Sequence, residues 1–363
     1  MKSAIFTFCF VSLALLCNTP GQPFKEVLLS ESENAYNPIP NQDGSLIAYV
    51  RTGWGRAGGS GGFIRSGGSG RSNLRSEVMV MNADGTLLTR EPLVDAFLSG
   101  WTPDGKDLIC YRDYRYFLVS VAGEIAARGQ RPSSDQTGRG YERVSYLSSI
   151  DSPVWIQNDS LETVIQLPRG KIIRGPAELG ELIIPSPDER YIAVTGAPNG
   201  LLRVYDRRDN SWSDLGTITI HPYSEWDYIK PSWNPWFSDS SRLAFISGSS
   251  LIISSPDGRE KQIVADVGAK AGLAVPSPDG ELIAYATFED RPMNLRQDLK
   301  FWGGSTLWVI STVHGAKAYP VTGKHQDTTY CLRWLDNTQL VFDRIADESL
   351  FRKARLWKAQ VPR

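Results

Sequence analysis

Histidine is scarce in this chain: three are present among 363 residues, at positions 221, 314 and 325. No two of them have the spacing of a metal-binding pair such as His-x-x-x-His, and protein zinc sites are built largely from histidine and cysteine. The sequence therefore predicts no metal site.

Catalytic motifs are also lacking. The glycine-rich stretch 58–62 is not preceded by a strand that would make a nucleophile elbow, and the strand-loop-helix unit of a phosphate-binding loop does not surround it. The paired acids Asp206 and Asp209 fall in a turn-like segment, where solvated loop charge is the common explanation. We therefore predict no catalytic residue and no cofactor, and we expect a protein that is not an enzyme.

An excess of charge of either sign is absent. The chain has 39 basic and 40 acidic residues, which gives a net charge of −1. Proteins that bind nucleic acid or anionic membranes through electrostatics carry an excess of positive charge. The sequence gives no reason to expect nucleic acid as a partner.

The first residues have the pattern of a secretory signal peptide. Lys2 is followed by an apolar stretch at 4–17 and then by polar, proline-containing residues. With cleavage after Gly21, residues 1–21 are the signal peptide and residues 22–363 form one domain, which we expect to be periplasmic or secreted.

Two alternatives to a cleaved signal peptide remain. One is a lipid anchor at Cys17, although Leu16 stands where bacterial lipoprotein signals usually have a small residue. The other is an uncleaved anchor, although the apolar run is short for a membrane span. We expect no transmembrane span in the mature chain.

A turn of the Ser-Pro-Asp-Gly kind recurs seven times, each time before a short apolar run. Proline presets its own φ, aspartate caps the turn through its side chain, and glycine accepts a positive φ, so each copy predicts a hairpin between two strands. The clearest copies are 102–105 and 277–280. The others lie at 41–44, 186–189, 238–241 and 335–337, with the faintest at Asp151 and Ser152.

The spacing of these turns predicts the architecture. From Asp43 to Asp336 they follow one another at about 49 residues, which suits propeller blades of four strands. Four short strands cannot bury their apolar faces alone, so neighbouring units stack into a ring. We predict an all-β fold, a closed β-propeller of four-stranded blades, with seven blades, or six if the copy at Asp151 is not a true repeat.

The two ends of the chain are expected to meet in the last blade. Its unit offers three strands, at 330–334, 340–342 and 354–360, and the strand-like segment 24–30 precedes the first unit. We predict that this N-terminal strand closes the last blade. Cys110 and Cys331 fall in core strands of different blades, where two buried thiols are favoured over a disulfide.

The Ser-Pro-Asp-Gly turn, the Leu-Ile-Ala-Tyr strand and the Asp-Gly turn resemble the repeat of TolB-like propellers, also described as WD-like repeats. The resemblance covers most of residues 24–361 and implies the fold rather than a function, because the motif residues belong to turns and core. TolB itself has an α/β domain before its propeller, for which this chain has no room. Oligogalacturonate lyase, a related seven-bladed fold, relies on several metal-binding histidines, unlike the three scattered here.

Extra length is concentrated in the loops between the second and third strands of three blades. These insertions lie at 51–76 in blade 1, 289–305 in blade 6 and 344–353 in blade 7. In a four-stranded blade such loops lie on the same face as the crossovers between blades. Because blades 6, 7 and 1 are contiguous in a closed ring, we expect the three insertions to gather on one side of one face.

The insertions combine arginine with aromatic residues, a composition enriched in protein interfaces. The same predicted face receives the crossover between blades 4 and 5. The candidate binding residues are Trp54, Arg56, Phe63, Arg65, Arg71, Trp226, Asp227, Arg291, Arg296, Lys300, Trp302, Phe351 and Arg352. We expect Trp233 and Trp236 to belong to the core between blades.

These observations predict an exported, monomeric propeller that is not an enzyme and that binds a protein, peptide or glycan of the cell envelope. The competing explanation is that the insertions are tolerated surface elaborations. The alternative function is a hydrolase or lyase that acts on an extracellular polymer in the central funnel, which requires converging carboxylates or a bound metal there.

Overall fold

The computed structural model describes residues 24–362 except for a set of gaps, which are 31–33, 55–73, 90, 103, 113–114, 131–142, 148–151, 159–161, 167–171, 177–181, 196–198, 220–232, 291–301 and 346–353. Every regular element within the described residues is a β-strand. The predicted all-β class is therefore confirmed.

The strands are numbered along the chain. Strands in the N-terminal half are β1 (Glu26–Leu28), β2 (Ala35–Pro40), β3 (Leu46–Trp54), β4 (Leu74–Asn82), β5 (Val94–Asp95), β6 (Phe97–Trp101), β7 (Asp107–Arg112), β8 (Arg115–Ser120), β9 (Ile125–Gln130), β10 (Arg143–Leu147), β11 (Ser152–Asn158), β12 (Glu162–Gln166) and β13 (Ile172–Pro176).

Strands in the C-terminal half are β14 (Leu182–Pro185), β15 (Tyr191–Thr195), β16 (Asn199–Asp206), β17 (Ser211–Thr219), β18 (Leu243–Ser247), β19 (Ser250–Ser254), β20 (Lys261–Asp266), β21 (Ala271–Pro276), β22 (Leu282–Asp290), β23 (Trp302–Ser311), β24 (Tyr319–Pro320), β25 (Leu332–Trp334), β26 (Gln339–Arg344) and β27 (Arg355–Gln360).

The strands form a ring of small antiparallel sheets, as predicted for a β-propeller. Six sheets are complete four-stranded blades, and blade 5 is a sheet of three strands, β18 to β20. Its innermost position is held by a single bridge between Trp236 and Leu243 and by a bond of 2.8 Å from Ala244 N to Pro235 O. Blades 1, 2, 3, 4 and 6 are β2–β5, β6–β9, β10–β13, β14–β17 and β21–β24.

Blade 7 confirms the predicted closure by the N-terminal strand. Its order is β1-β27-β26-β25, so the first strand of the chain is the outermost strand of the last blade. Glu26 pairs with Ala359 and Leu28 with Trp357 in antiparallel register.

The recurring turns join the first and second strands of the blades. The residue in the fourth position donates its N–H to the carbonyl of the first, as from Gly105 to Thr102 at 2.8 Å and from Gly280 to Ser277 at 2.9 Å. Two degenerate copies keep this conformation. Glu189 has a φ of 57°, and Ser240 has a φ of 61° in a turn at 237–240, one residue earlier than predicted, with Ser240 N bonded to Phe237 O at 3.0 Å. Gly44 is required for a second reason, because a Cβ there would overlap the carbonyl of Leu335 in blade 7.

In blade 1, the Asp-Gly turn at 82–85 predicts a fourth strand at 86–88, and the structure differs from that prediction. The turn at 82–85 is present, with Gly85 N bonded to Asn82 O at 2.9 Å, but 86–88 is not a strand. Leu87 makes one isolated bridge to Met81, and the fourth strand is β5, further along the chain. Leu87 and Leu88 are about half exposed, so neither adds enough burial to hold a longer strand.

Tryptophan side chains tie the inner strands of neighbouring blades together. In three blades, the tryptophan that directly precedes the recurring turn donates its indole N–H to a backbone carbonyl of the preceding blade. The acceptor residue lies two positions before the recurring turn of that preceding blade. The acceptor residue precedes a proline each time, namely Pro40, Pro185 or Pro276. The bonds run from Trp101 to Ile39 (2.8 Å), from Trp236 to Ile184 (2.9 Å) and from Trp334 to Val275 (2.9 Å).

The predicted core positions of Trp233 and Trp236 are confirmed. Both are buried, and Trp233 donates in the opposite direction, to the carbonyl of Ala274 in blade 6 at 2.8 Å. Blade 5 is thus bonded through tryptophan to both neighbours. Cys110 and Cys331 are likewise buried, and neither forms a disulfide, as expected.

We predict that Trp334→Phe lowers the free energy of unfolding by about 2 to 3 kcal/mol, because it leaves the Val275 carbonyl without its donor and removes buried volume. Trp212→Phe is the matched control, since Trp212 in the outermost strand of blade 4 bonds to the Arg174 carbonyl in the outermost strand of blade 3, and its side chain is only partly buried. We expect it to cost less than about 1 kcal/mol. Chemical denaturation measures both, and equal losses would contradict the role given to the inner tryptophans.

Candidate functional site

Three hairpin stems stand at the same end of the ring. The stem of blade 1 ends at the pair Trp54 and Leu74, that of blade 6 at Asp290 and Trp302, and that of blade 7 at Arg344 and Arg355. Each stem joins the second and third strands of its blade and lies at the end opposite the recurring turns. We call this end of the ring the loop face.

The three blades are direct neighbours. Blade 7 bonds to blade 6 through Trp334, and its hydrogen bonds to blade 1 include one to Asp343 and one from Cys331. Asn37 N donates to Asp343 Oδ2 at 3.1 Å, and Cys331 Sγ donates to Pro38 O at 3.3 Å. The stems of blades 6, 7 and 1 therefore follow one another along the loop face.

The strand bounds refine the predicted insertions. β3 continues to Trp54 and β4 begins at Leu74, so the connection in blade 1 is 55–73 rather than 51–76. In blade 6 the connection is 291–301, because β22 and β23 extend into the predicted loop. By contrast, only Gly248 and Ser249 connect the second and third strands in blade 5.

The structure describes two of the thirteen candidate residues, and only as strand positions. Trp54 is the last residue of β3 and Trp302 the first of β23. The others lie outside the described residues and remain predictions: Arg56, Phe63, Arg65, Arg71, Trp226, Asp227, Arg291, Arg296, Lys300, Phe351 and Arg352.

The base of the blade 1 stem carries an ion pair. Arg51 and Glu77 are directly opposite on β3 and β4, and their closest atoms are 2.7 Å apart. Both side chains are mostly buried, which limits the screening of their attraction by water.

The crossover from blade 6 to blade 7, residues 321–330, is bonded to the blade 6 stem. We call it the crossover segment. His325 and Ser305 exchange backbone hydrogen bonds of 3.1 and 3.2 Å, and the buried Ser305 hydroxyl donates to the Asp327 carbonyl at 3.0 Å. Lys324 Nζ lies 2.7 Å from Glu289 Oε1, one residue before the end of β22. The crossover segment and the stem therefore hold each other in place.

Arg344, the last residue of β26, is an almost completely buried cation. Its Nη1 is 2.6 Å from Glu26 Oε2, and its guanidinium lies over the rings of Phe342 and Trp357 at 5.1 and 5.0 Å. Its Nε has no hydrogen-bond partner among the residues that the structure describes. Removing one member of such a buried pair leaves an uncompensated charge, which is strongly destabilising.

His325 lies beside this pair. Burial lowers the pKa of His325, and the Arg344 charge adds to that effect, whereas Asp327 and Glu26 oppose it. His325 Nδ1 is 3.5 Å from Asp327 Oδ2. The neutral imidazole is therefore the form that the fold favours.

Asp343 joins blades 7 and 1 beneath the loop face. Its Oδ1 accepts the N–H groups of Tyr330 and Cys331 at 2.8 and 2.9 Å, and its Oδ2 accepts that of Asn37. Burial raises the pKa of Asp343 from 3.8 to about 6, against the opposing effect of these hydrogen bonds. The two carboxylate oxygens of Asp343 thus accept hydrogen bonds at the junction between blades 7 and 1.

The sequence-based prediction missed Glu26, Asp343 and Arg344. A signal was present, since Asp343 and Arg344 directly follow the apolar run Leu340 to Phe342. Two charges that continue an apolar strand indicate a buried polar pair, which needs partners elsewhere. The partner Glu26 could not be assigned from the sequence because it lies more than three hundred positions away.

Within the described residues there is no group of three or more His, Cys, Asp or Glu side chains arranged to hold a metal ion. The same residues include no helix with the length and hydropathy needed to cross a membrane.

The chain matches no protein-family model and no curated protein. Similarity is found among solved structures, at identities that show the fold alone. A chain of the mitotic checkpoint complex aligns with a TM-score of 0.52 and 13% identity over 99% of this chain and 100% of its own. The β-propeller domain of Cps50 (Swd1) from Myceliophteria thermophila aligns with a TM-score of 0.50 and 10% identity over 92% and 99%.

Two further structures are more distant. TolB from Acinetobacter baumannii aligns with a TM-score of 0.38 and 15% identity over 69% of this chain and 61% of its own. The tricorn protease aligns with a TM-score of 0.37 and 11% identity, and this chain covers 28% of its length. The alignment with the Cps50 (Swd1) domain agrees with a β-propeller fold, and none of these neighbours assigns a repeat family or an activity.

We predict that the stabilising contribution of Asp343 falls as pH rises. The folded state holds the carboxyl proton more tightly than the unfolded state, so the contribution is complete below about pH 4 and is lost as pH rises through about 6. The difference in unfolding free energy between the wild type and Asp343→Asn should shrink by about 3 kcal/mol between pH 4 and pH 7.

Chemical denaturation across that pH range measures the difference, and the subtraction removes the titration of all other groups. A difference that grows with pH would show that the three backbone N–H groups outweigh burial and hold the pKa of Asp343 below its ordinary value.

Proposed function

We propose that the protein is an exported β-propeller that is not an enzyme and that binds a protein, peptide or glycan of the cell envelope through the loop face. The observation that carries the proposal is the succession of three hairpin stems on adjacent blades, each of which continues into an insertion. Loops on a rigid scaffold are where binding residues usually lie. The leader at 1–21 supports export to the periplasm or secretion.

The stems supply the rigidity that such a site needs. Each is a strand pair held by its own blade, and the blades are held together by the buried tryptophan bonds and by Asp343. Binding groups at the ends of such stems lose little conformational freedom when a partner binds, which favours affinity.

The charge of the insertions indicates the kind of partner. Residues 55–73 include Arg56, Arg65 and Arg71 and no Asp or Glu, and residues 291–301 include three basic residues and one acid. A partner with an acidic segment or an acidic glycan would be attracted to such a surface, and its association would weaken with added salt.

The alternative of a hydrolase or lyase in the central funnel finds less support. It calls for carboxylates that are open to a substrate, whereas Asp343, the buried acid at the seam between blades 7 and 1, already accepts three backbone N–H groups. No observation favours it over the binding proposal.

The experiment is an affinity capture from envelope extract by the mature chain and two variants. In the first, a short Gly-Ser turn joins Trp54 to Leu74 in place of 55–73. In the second, Arg56, Arg65 and Arg71 are all changed to Gln. We expect both variants to lose at least about 90% of the captured partner, since the contacts are lost in one and the charge in the other.

The matched control removes equal charge from the opposite face. Lys106, Arg259 and Lys317 are exposed beside turns at that end of the ring, and their change to Gln should leave capture intact. Equal unfolding midpoints establish that all versions are folded. Capture that is the same for all versions, or that is lost only in the control, would contradict the proposal.

A further inference from the structure

The outermost strand of blade 7 has few apolar anchors. β1 is three residues long and pairs only with β27, and the side chains of Val27 and Leu28 are about half exposed. Burial of Leu29 and a bond of 2.8 Å from Leu29 N to Leu356 O add to its attachment. Polar contacts must therefore carry much of the energy that holds this strand in the ring.

Glu26 makes the polar contacts that reach furthest from β1. One carboxylate oxygen pairs with the buried Arg344, and the other accepts the N–H of Gly323 in the crossover segment at 3.1 Å. Phe24 packs over the same glycine, since a Cβ on Gly323 would lie 3.6 Å from its ring. A single side chain of β1 thus contacts both the last residue of β26 and the crossover segment.

Both of these partners belong to the loop face. Arg344 forms the end of the blade 7 stem, and the crossover segment is bonded to the blade 6 stem through Ser305 and Lys324. Arg344 cannot lose Glu26 without leaving a buried, uncompensated charge. Its position and that of the crossover segment consequently depend on whether β1 is in place.

We infer that Glu26 couples closure of the ring to the loop face, so that the attachment of β1 and the positions of the crossover segment and the blade 7 stem change together. The coupling is a property of the fold and holds whether or not the loop face binds a partner. By linkage, a change that loosens the crossover segment also loosens β1.

Hydrogen exchange of the mature chain tests the coupling in one direction. Glu26→Gln keeps the shape of the side chain and an acceptor for Gly323, but it removes the charge that pairs with Arg344. We expect exchange to become at least about threefold faster both in 24–30 and in 321–330, while 191–206 of blade 4 is unchanged. Faster exchange in 24–30 alone would show a simple strand anchor and would overturn the inference.

Ser305→Ala tests the opposite direction. It removes the hydrogen bond that the Ser305 hydroxyl donates to the Asp327 carbonyl and its hydrogen bond with the Thr329 hydroxyl, and it does not change β1. We expect faster exchange in 321–330 and also in 24–30. An effect confined to 321–330 would mean that the crossover segment and β1 are independent.

Glu77→Gln is the matched control. It breaks another Arg–Glu ion pair, between Arg51 and Glu77, that is less buried than the pair of Arg344 and Glu26, lies within blade 1 and spans no junction between blades. We expect Glu77→Gln to speed hydrogen exchange only within β3 and β4. If this variant loosened 24–30 as much as Glu26→Gln does, the response would reflect general destabilisation and the inference would fall.

Discussion

The ring depends on the bonds that join the innermost strand of each blade to the neighbouring blade. Such a strand has one edge without a neighbour in its own sheet, and backbone carbonyls that are shielded from water need a donor. Tryptophan meets this need with one side chain, because its ring fills the wedge between two blades while its N–H reaches the carbonyl. Trp101, Trp236 and Trp334 do this in the same way, and Trp233 adds a bond in the other direction.

The seam between blades 7 and 1 uses different chemistry. The first and last parts of the chain meet there, and the bonds across it include one to Asp343, one from Cys331, one from Lys358 Nζ to the Ala83 carbonyl and a backbone bond from Ala35 N to Ala354 O. Glu26 and Arg344 add an ion pair within blade 7 between its outermost strand and β26. Polar groups thus concentrate where the ring closes. Blades 7 and 1 also carry the stems of two insertions, so some of the residues that close the ring belong to the loop face.

The sequence predicted most of the fold because the recurring turn has a strong local cause. Proline, aspartate and glycine act within four residues, and even the copies with Glu189 or Ser240 in the glycine position adopt the same conformation. The N-terminal strand was also predictable, since the last unit was one strand short. The outer strand of blade 1 was not, because an exposed strand is decided by contacts with neighbours rather than by its own residues.

The candidate site was likewise predictable only in part. The insertions were visible as extra length between strands, and the strand bounds place their stems side by side. The cluster of Glu26, Arg344 and His325 was not predictable, because the sequence indicates at most that Arg344 is buried and does not indicate its partners, which lie far from it along the chain. Only the ring topology brings them together beneath the loop face.

Site-specific photo-crosslinking tests the central claim, that the loop face is the binding surface, most directly. A photoreactive phenylalanine analogue at position 54 or 302 lies at the stems of blades 1 and 6, whereas at position 42 or 238 it lies on exposed turns at the opposite end. The account predicts that one envelope partner is crosslinked from 54 and from 302 and not from 42 or 238. Crosslinking of that partner from the turn positions, or from none of the four, would contradict it.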